Sequence, residues 1–187
     1  MAIIEKETSR LKLRQWLNSD SPIFATMNAD PAVMEYYPNT LTEIESNAQA
    51  DRFRNLIKKQ GWGFWAVEEL DNKKFIGFVG LHIPSYELPV TPCVEIGWRL
   101  VKECWGKGYA TEAANASLSI AFEQLNLTEV YSFTSVTNIK SQAVMERLNM
   151  VNMQKNFEHP MLPVDHPLRE HILYRIDAER WSMTKNS

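Results

Sequence analysis

The sequence predicts an α/β (α+β) fold in one domain, and three stretches carry that prediction. Trp62 to Glu68 and Phe75 to Ile83 are rich in aromatic and β-branched residues around the polar turn Leu70-Asp71-Asn72-Lys73, the pattern of a hairpin. Val94 to Leu100 reads as a strand that runs through a glycine turn, Gly106-Lys107-Gly108, into a helix lasting to Leu125. Glu129 to Ser135 is again strand-like, and Asn138-Ile139-Lys140-Ser141 opens a helix to Leu148.

Each element has its own local reason. Arg10-Leu11-Lys12-Leu13-Arg14 alternates polar and apolar residues, the mark of a strand with one buried face. Asp20-Ser21-Pro22 sets a capping residue ahead of a proline suited to a first helical turn, so a short helix runs through Asn28 and ends before Asp30-Pro31. A second short helical piece precedes Tyr36-Tyr37-Pro38. Thr42-Glu43-Ile44-Glu45 is a capping box, since Glu45 can reach back to the Thr42 amide; the helix it opens runs to about Lys59 and stops at Gly61. Both hairpin strands carry apolar residues on alternate and intervening positions, so both faces are covered. Ser85 to Pro92, next to Pro84, is a loop, because its prolines cannot join a central ladder.

In the strand that follows, Val94, Ile96 and Trp98 share one face and Glu95, Gly97 and Arg99 the other. Asn149 can take the left-handed conformation that ends a helix. Val151 to Phe157 and Glu170 to Asp177 read as two closing strands, joined by a loop from His159 to Arg169 stiffened by Pro160, Pro163 and Pro167. Thr184 to Ser187 is expected to fray. There is no internal repeat and no low-complexity tract.

Composition narrows the function. The 187 residues suit one sizeable core, so residues 1–187 are read as a single domain. An apolar content of 44% with 23% charged residues is that of a soluble globular protein, and no apolar run is long enough to span a bilayer. The N-terminal stretch lacks the apolar core of a signal peptide, so a cytoplasmic protein is expected, with no membrane partner. Cys93 and Cys104 form no Cys-x-x-Cys pair and are expected as free thiols. A net charge of −3 argues against nucleic acid and suits a cationic or amine-bearing partner. His159, His166 and His171 each follow a carboxylate directly, but neighbours on a strand point apart and the spacings match no ligand register, so no metal is expected.

The glycine turn is the most informative stretch. After Gly108, small or apolar residues fall at Ala110, Ala113, Ala114, Ser117, Leu118, Ala121, Phe122 and Leu125, one face of a helix. The first amides of that helix lack partners, the helix dipole adds partial positive charge, and glycine admits an anion's oxygens to the backbone. The turn is therefore a phosphate cradle. A Walker loop would need Ser or Thr after Lys107, and a dinucleotide fingerprint a third glycine or alanine at Thr111. Trp105-Gly106-Lys107-Gly108-Tyr109-Ala110-Thr111-Glu112-Ala113 instead resembles the acyl-CoA pyrophosphate loop of the GNAT N-acetyltransferases, and within them the ribosomal-protein-alanine (Rim-type) branch. The resemblance covers residues 8–178. Glu103 departs from it by standing where Gln or Arg is usual.

That resemblance implies a GNAT-like sheet, mixed, mainly antiparallel and twisted, with a central splayed strand pair and helices on both faces. It implies acetyl-CoA as co-substrate, no metal, and transfer of an acetyl group to a primary amine, on a small molecule or a protein N-terminus, by direct attack in a ternary complex. Cofactor contacts then fall to Ile96, Trp98, Leu100, Trp105, Gly106, Lys107, Gly108, Tyr109, Ala110, Asn138 and Ser141. Glu95 matches a strand glutamate used as base, the alternative being a carboxylate that only pairs with a cation. Asn138 and Ser141 match an Asn-x-x-Ser element that contacts the donor arm and thiolate, although Asn138 is also a good N-cap. A tyrosine acid is usual four residues past that serine; Met145 stands there, so Ser141 takes the role. Tyr36, Tyr37, His159 and His166 are the candidates for the acceptor wall, with plain packing as the alternative. A non-catalytic acyl-CoA sensor would show the same cradle. Monomer and homodimer both stay open.

Overall fold

Runs of strands are interspersed with helices in the computed structural model, which describes residues 2–184, and the sheet is mixed and mostly antiparallel, with β-pairing that is parallel at Glu95↔Tyr131. The chain gathers into two compact units, one from Met1–Leu81 with Gly97–Ala116 and the other from His82–Ile96 with Ser117–Ser187.

In the first unit, β1 (Lys6–Glu7) pairs antiparallel with β2 (Leu11–Arg14). Leu11 and Leu13 are fully buried, as the alternation requires. Two helices follow, α1 (Ser21–Ala29) and α2 (Glu43–Gln60). Asp20 does not cap α1 as its position predicts. Its carboxylate is buried and accepts both terminal nitrogens of Arg14, at 2.8 and 2.9 Å, and the Leu17 amide at 2.8 Å. A buried guanidinium needs its counter-charge more than a helix end needs a cap, since amides at a helix end still reach water. The helical piece expected before Tyr36 is absent: residues 31–39 form turns, with the Asp30 side chain taking the Ala32 amide at 2.8 Å. The capping box of α2 forms as read. Thr42 N–H donates to Glu45 at 2.8 Å, Glu45 N–H donates back to Thr42 Oγ1 at 3.3 Å, and Gly61 closes the helix at φ +87°.

The hairpin is β3 (Phe64–Glu69) with β4 (Phe75–His82), and β2 pairs β3 on its other edge. Trp16, Phe24, Phe53, Phe64, Phe75 and Phe78 interlock at centroid distances of 4.9 to 6.5 Å. Such pairs add about 0.5–1.5 kcal/mol each beyond simple burial, so this aromatic cluster is the first unit's core. The chain returns through β5 (Glu95–Leu100) and leaves along α3 (Tyr109–Ser119), which continues as a wider turn over Ile120–Gln124.

In the second unit, β6 (Glu129–Ser135) ends where the sequence places it, and α4 (Ile139–Arg147) follows. The expected strand from Val151 to Phe157 is instead β7 (Val151–Asn152) and β8 (Phe157–Glu158). Asn152 takes the Gln154 amide at 2.8 Å and Gln154 sits at φ +52°, a side-chain turn that interrupts the ladder. Both short strands pair with β9 (Glu170–Asp177), which also runs antiparallel to β6 from Glu129↔Asp177 to Ser135↔His171. The parallel ladder of β5 with β6 is one residue pair long, Glu95↔Tyr131. A last helix, α5 (Ala178–Thr184), was not expected; it buries Trp181 against Phe122 at 5.3 Å. Fraying was expected from Thr184 on; Thr184 closes α5, and Lys185 to Ser187 lie outside the described residues. No helix among the described residues is long and apolar enough to cross a membrane.

Candidate active site

The glycine turn is built in the first unit. After β5 a single helical turn, Lys102–Cys104, brings Trp105 back so that its indole N–H donates to the Leu100 carbonyl at 2.9 Å. Gly106 and Gly108 then hold φ of +74° and +80°, left-handed values that side chains rarely adopt. A Cβ on Gly106 would meet nothing within 4 Å, and one on Gly108 only Arg10 Nη2 at 3.6 Å. Helical bonding starts at Glu112 N–H to the Gly108 carbonyl, 3.0 Å, so the amides of Tyr109, Ala110 and Thr111 have no partner from the helix. Open room above two left-handed glycines, beside unpartnered amides, fits an anion's oxygens. Lys107 and Trp105 are exposed and Tyr109 and Ala110 half-buried around it.

What fixes the turn is a carboxylate the sequence did not single out. Glu112 accepts Thr8 Oγ1 at 2.6 Å, Ser9 Oγ at 3.1 Å, Arg10 N–H at 3.0 Å and Arg10 Nε at 2.7 Å. Burial works to raise its pKa, but these hydrogen bonds outweigh it and hold Glu112 below the usual carboxylate range. Arg10 also donates to the Lys107 carbonyl at 3.0 Å and lies 4.6 Å over the Tyr109 ring. The start of α3 is thereby tied to the segment before β2.

Ile96 and Leu100 are buried, and their carbonyls already accept Ser132 Oγ at 3.0 Å and the Trp105 indole N–H at 2.9 Å. Trp98 is half-buried. Tyr36 and Tyr37 are half-buried too, and the Arg99 guanidinium lies over the Tyr37 ring, 3.9 Å from its centroid.

In the second unit Glu95 meets a residue the sequence reading missed: His82, at the end of β4, places Nδ1 2.8 Å from Glu95 Oε1. The side chains are 14% exposed for Glu95 and 27% for His82. Burial, together with the Glu95 charge, pushes the nearby Tyr86 phenol well above its usual range. Burial, then Glu95 and Glu129, push Cys93 up to about 11.

Asn138 caps α4, its Oδ1 accepting the Ser141 amide at 3.2 Å while Nδ2 donates to Thr134 Oγ1 at 2.9 Å. Ser141 is half-buried in that first turn, and Met145 is core. The two loop histidines each take the amide two residues on. His166 is half-buried and its Nδ1 accepts the Leu168 amide at 3.2 Å. His159 Nδ1 accepts the Met161 amide at 3.3 Å, which leaves the proton on Nε2, facing Tyr86 Oη at 3.2 Å.

His159 also packs 4.8 Å from the His171 ring and 5.9 Å from Phe133. Burial and then His171 push it down to about 4 from 6.5. Above pH 6.5 the imidazole is neutral in both folded and unfolded chains and its packing counts fully. As pH falls from 6.5 towards 4 the unfolded chain takes a proton the folded one refuses, so stability is lost and then levels. The urea midpoint should therefore fall over this window more steeply in the parent than in His159→Phe. Equal slopes would mean that His159 is not held neutral by the fold.

The chain is similar to known proteins in sequence and in fold. The profile of the acetyltransferase (GNAT) domain matches residues 10–151. The FsC-acetyl coenzyme A-N(2)-transacetylase of Aspergillus fumigatus is 28% identical over 181 residues, 93% of this chain and 76% of its own. A GNAT-family acetyltransferase from Bacillus anthracis superposes with a TM-score of 0.78 at 23% identity, over 94% of this chain and 99% of its own. An acetyltransferase from Agrobacterium tumefaciens gives 0.72 at 28% identity, over 94% and 95%.

Proposed function

Because the chain belongs to the GNAT acetyltransferase family, whose activity is acetyl-CoA-dependent acetyl transfer, we propose that it acetylates a primary amine by direct attack in a ternary complex. The observation that carries this reading is the Glu95–His82 hydrogen bond of 2.8 Å. An aliphatic amine is almost wholly protonated at pH 7, and only its neutral form is a nucleophile. A largely buried carboxylate bonded to an imidazole is a unit that can accept that proton, the carboxylate fixing the ring and sharing the charge. Glu95 and His82 take this role together.

Bound acetyl-CoA supplies the thioester that the amine attacks. Amides of the Trp105 to Ala110 turn hold its phosphates, backbone groups from Ile96 to Leu100 and the Asn138 amide hold its arm, and Ser141 serves the departing sulfur. Tyr37 and His159 belong to the acceptor wall; His166 supports the loop that carries His159. The family match over residues 10–151 supports reading residues 1–187 as a single acetyltransferase domain. A cytoplasmic location fits such a reaction.

Direct attack is favoured over an acyl-enzyme because both thiols are poor nucleophiles. Cys93 is pushed up to about 11, and burial, then Glu69, raise Cys104 as well. Free-thiol release from acetyl-CoA should therefore require an amine, give intersecting lines when both substrates are varied, and survive replacement of both cysteines by alanine. Parallel lines would replace direct attack by an acyl-enzyme. Acetyl-CoA binding with no release for any amine would make the protein a sensor of acyl-CoA.

A further inference from the structure

The first unit buries two arginines and treats them differently. Arg14 and Arg99 are each 7% exposed. Arg14 is neutralised by Asp20 and Glu68, at 2.8 and 2.7 Å. Arg99 has no carboxylate partner among the described residues. Its Nη1 donates to two neutral oxygens, Asn28 Oδ1 at 2.7 Å and Gln49 Oε1 at 3.3 Å. The Tyr37 ring covers the guanidinium at 3.9 Å and Phe78 lies at 5.3 Å. Its Nε is shut from solvent with no acceptor. The arrangement is held in place, since Asn28 Nδ2 donates to the buried Ser46 hydroxyl at 2.9 Å and so turns its oxygen to Arg99.

A guanidinium stays charged when buried, and leaving it without an anion is strongly unfavourable. Neutral amide oxygens and an aromatic face recover part of that cost. Of its other donors Nε is closed off, while Nη2 is not among the shut-off atoms and has no acceptor among the described residues; a charged N–H donor left open in this way matches a carboxylate oxygen. Acetyl transfer brings two molecules together. The donor's phosphates have the glycine turn, so the anion left for Arg99 is carried by the acceptor.

We propose that Arg99, oriented by Asn28 and Gln49 and covered by Tyr37, anchors a carboxylate of the acceptor, which makes that acceptor an amine that also carries a carboxylate. This rests on the acetyl-transfer reading. It sets amino-acid-like and acidic peptide acceptors above polyamines, which would bring more positive charge to a site already holding an uncompensated one.

Asn28→Asp tests it without emptying the site. The change is isosteric, the Ser46 hydroxyl can turn to donate, and a carboxylate is placed beside Arg99 from within the chain. Melting temperature of the ligand-free protein should rise, while the rise caused by non-reacting carboxylates such as succinate and glutarate, at matched ionic strength, should vanish. In turnover, amino acids should exceed their decarboxylated amines in kcat/KM by tenfold or more in the parent, and the ratio should collapse towards one in Asn28→Asp and fall in Arg99→Lys, which keeps charge and loses the planar guanidinium with its Nη2 donors. Equal kcat/KM for the members of each pair in the parent would overturn the anchor, as would an Asn28→Asp protein that keeps the parent's preference. A loss of acetyl-CoA affinity in Arg99→Lys with amine preference intact would also overturn it, by assigning Arg99 to the donor. Should no amine be acetylated while succinate still stabilises the parent and not Asn28→Asp, the anchor stands and the transfer reading falls.

Discussion

Glu95→Gln lowers kcat at pH 7 by about 10²- to 10⁴-fold, the range that a positioned acid or base contributes. The substitution keeps size and loses only the capacity to accept a proton or hold a positive imidazole. At pH 7 an amine of pKa about 10 is neutral in roughly one molecule in a thousand, so the parent's advantage is greatest there. As pH rises the amine sheds its own proton, and the variant should recover part of its rate while the parent gains less. His82→Gln should fall in the same way. The double variant should be little worse than the more damaged single one, because residues that act as a unit are not additive. A ratio of variant to parent rates that stays flat from pH 6.5 to pH 9.5 would leave Glu95 a structural residue paired to a histidine.

The pairing behind that experiment shows where sequence reading reaches and where it stops. Elements set by local chemistry were legible: the Thr42 and Glu45 box, the Asn138 cap, the left-handed Asn149 at φ +56°, and the ends of β6 are all found where the residues imply. Those interactions close within a few residues, so the sequence contains both partners. The break between β7 and β8 escaped because one side chain, Asn152, competes with a ladder that the apolar pattern favours. α5 escaped because seven residues give too few turns for a helical period, and its burial depends on Phe122 far back in the chain.

At the site, the glycine turn was legible and its support was not. Glu112 and Arg10 lie 102 positions apart, and nothing local marks Glu112 as more than an acidic residue in a first helical turn. His82 was within reach. It ends one strand and Glu95 begins the next, thirteen positions on, so titratable residues stood at both ends of one connection. Arg99 shares the strand face of Glu95, but that its charge has no carboxylate partner among the described residues only the packed structure could show.

Gly108→Val should abolish stabilisation by acetyl-CoA. At a concentration 100 times its dissociation constant a ligand stabilises by about 2.7 kcal/mol, which for a chain of this size raises the melting temperature by roughly 5–10 °C. In the variant the rise should drop below about 1 °C, the shift left when affinity falls so far that little ligand binds. Two effects combine. The position sits at φ +80°, which disfavours a branched side chain by about 1–2 kcal/mol, and the added carbons occupy the open space above the turn. The first effect lowers the melting temperature of the ligand-free protein and the second removes the ligand's response, so the two are read separately. Gly108→Ala divides them further. Its single carbon would stand 3.6 Å from Arg10 Nη2, an ordinary contact, so the ligand-free protein should lose only the backbone strain. If the room above Gly108 is where phosphate oxygens approach, the alanine variant also loses most of the acetyl-CoA response, since a methyl group takes the place of one oxygen. If both variants lower the ligand-free melting temperature and still rise with acetyl-CoA as the parent does, the turn is a helix start and the phosphates are held elsewhere.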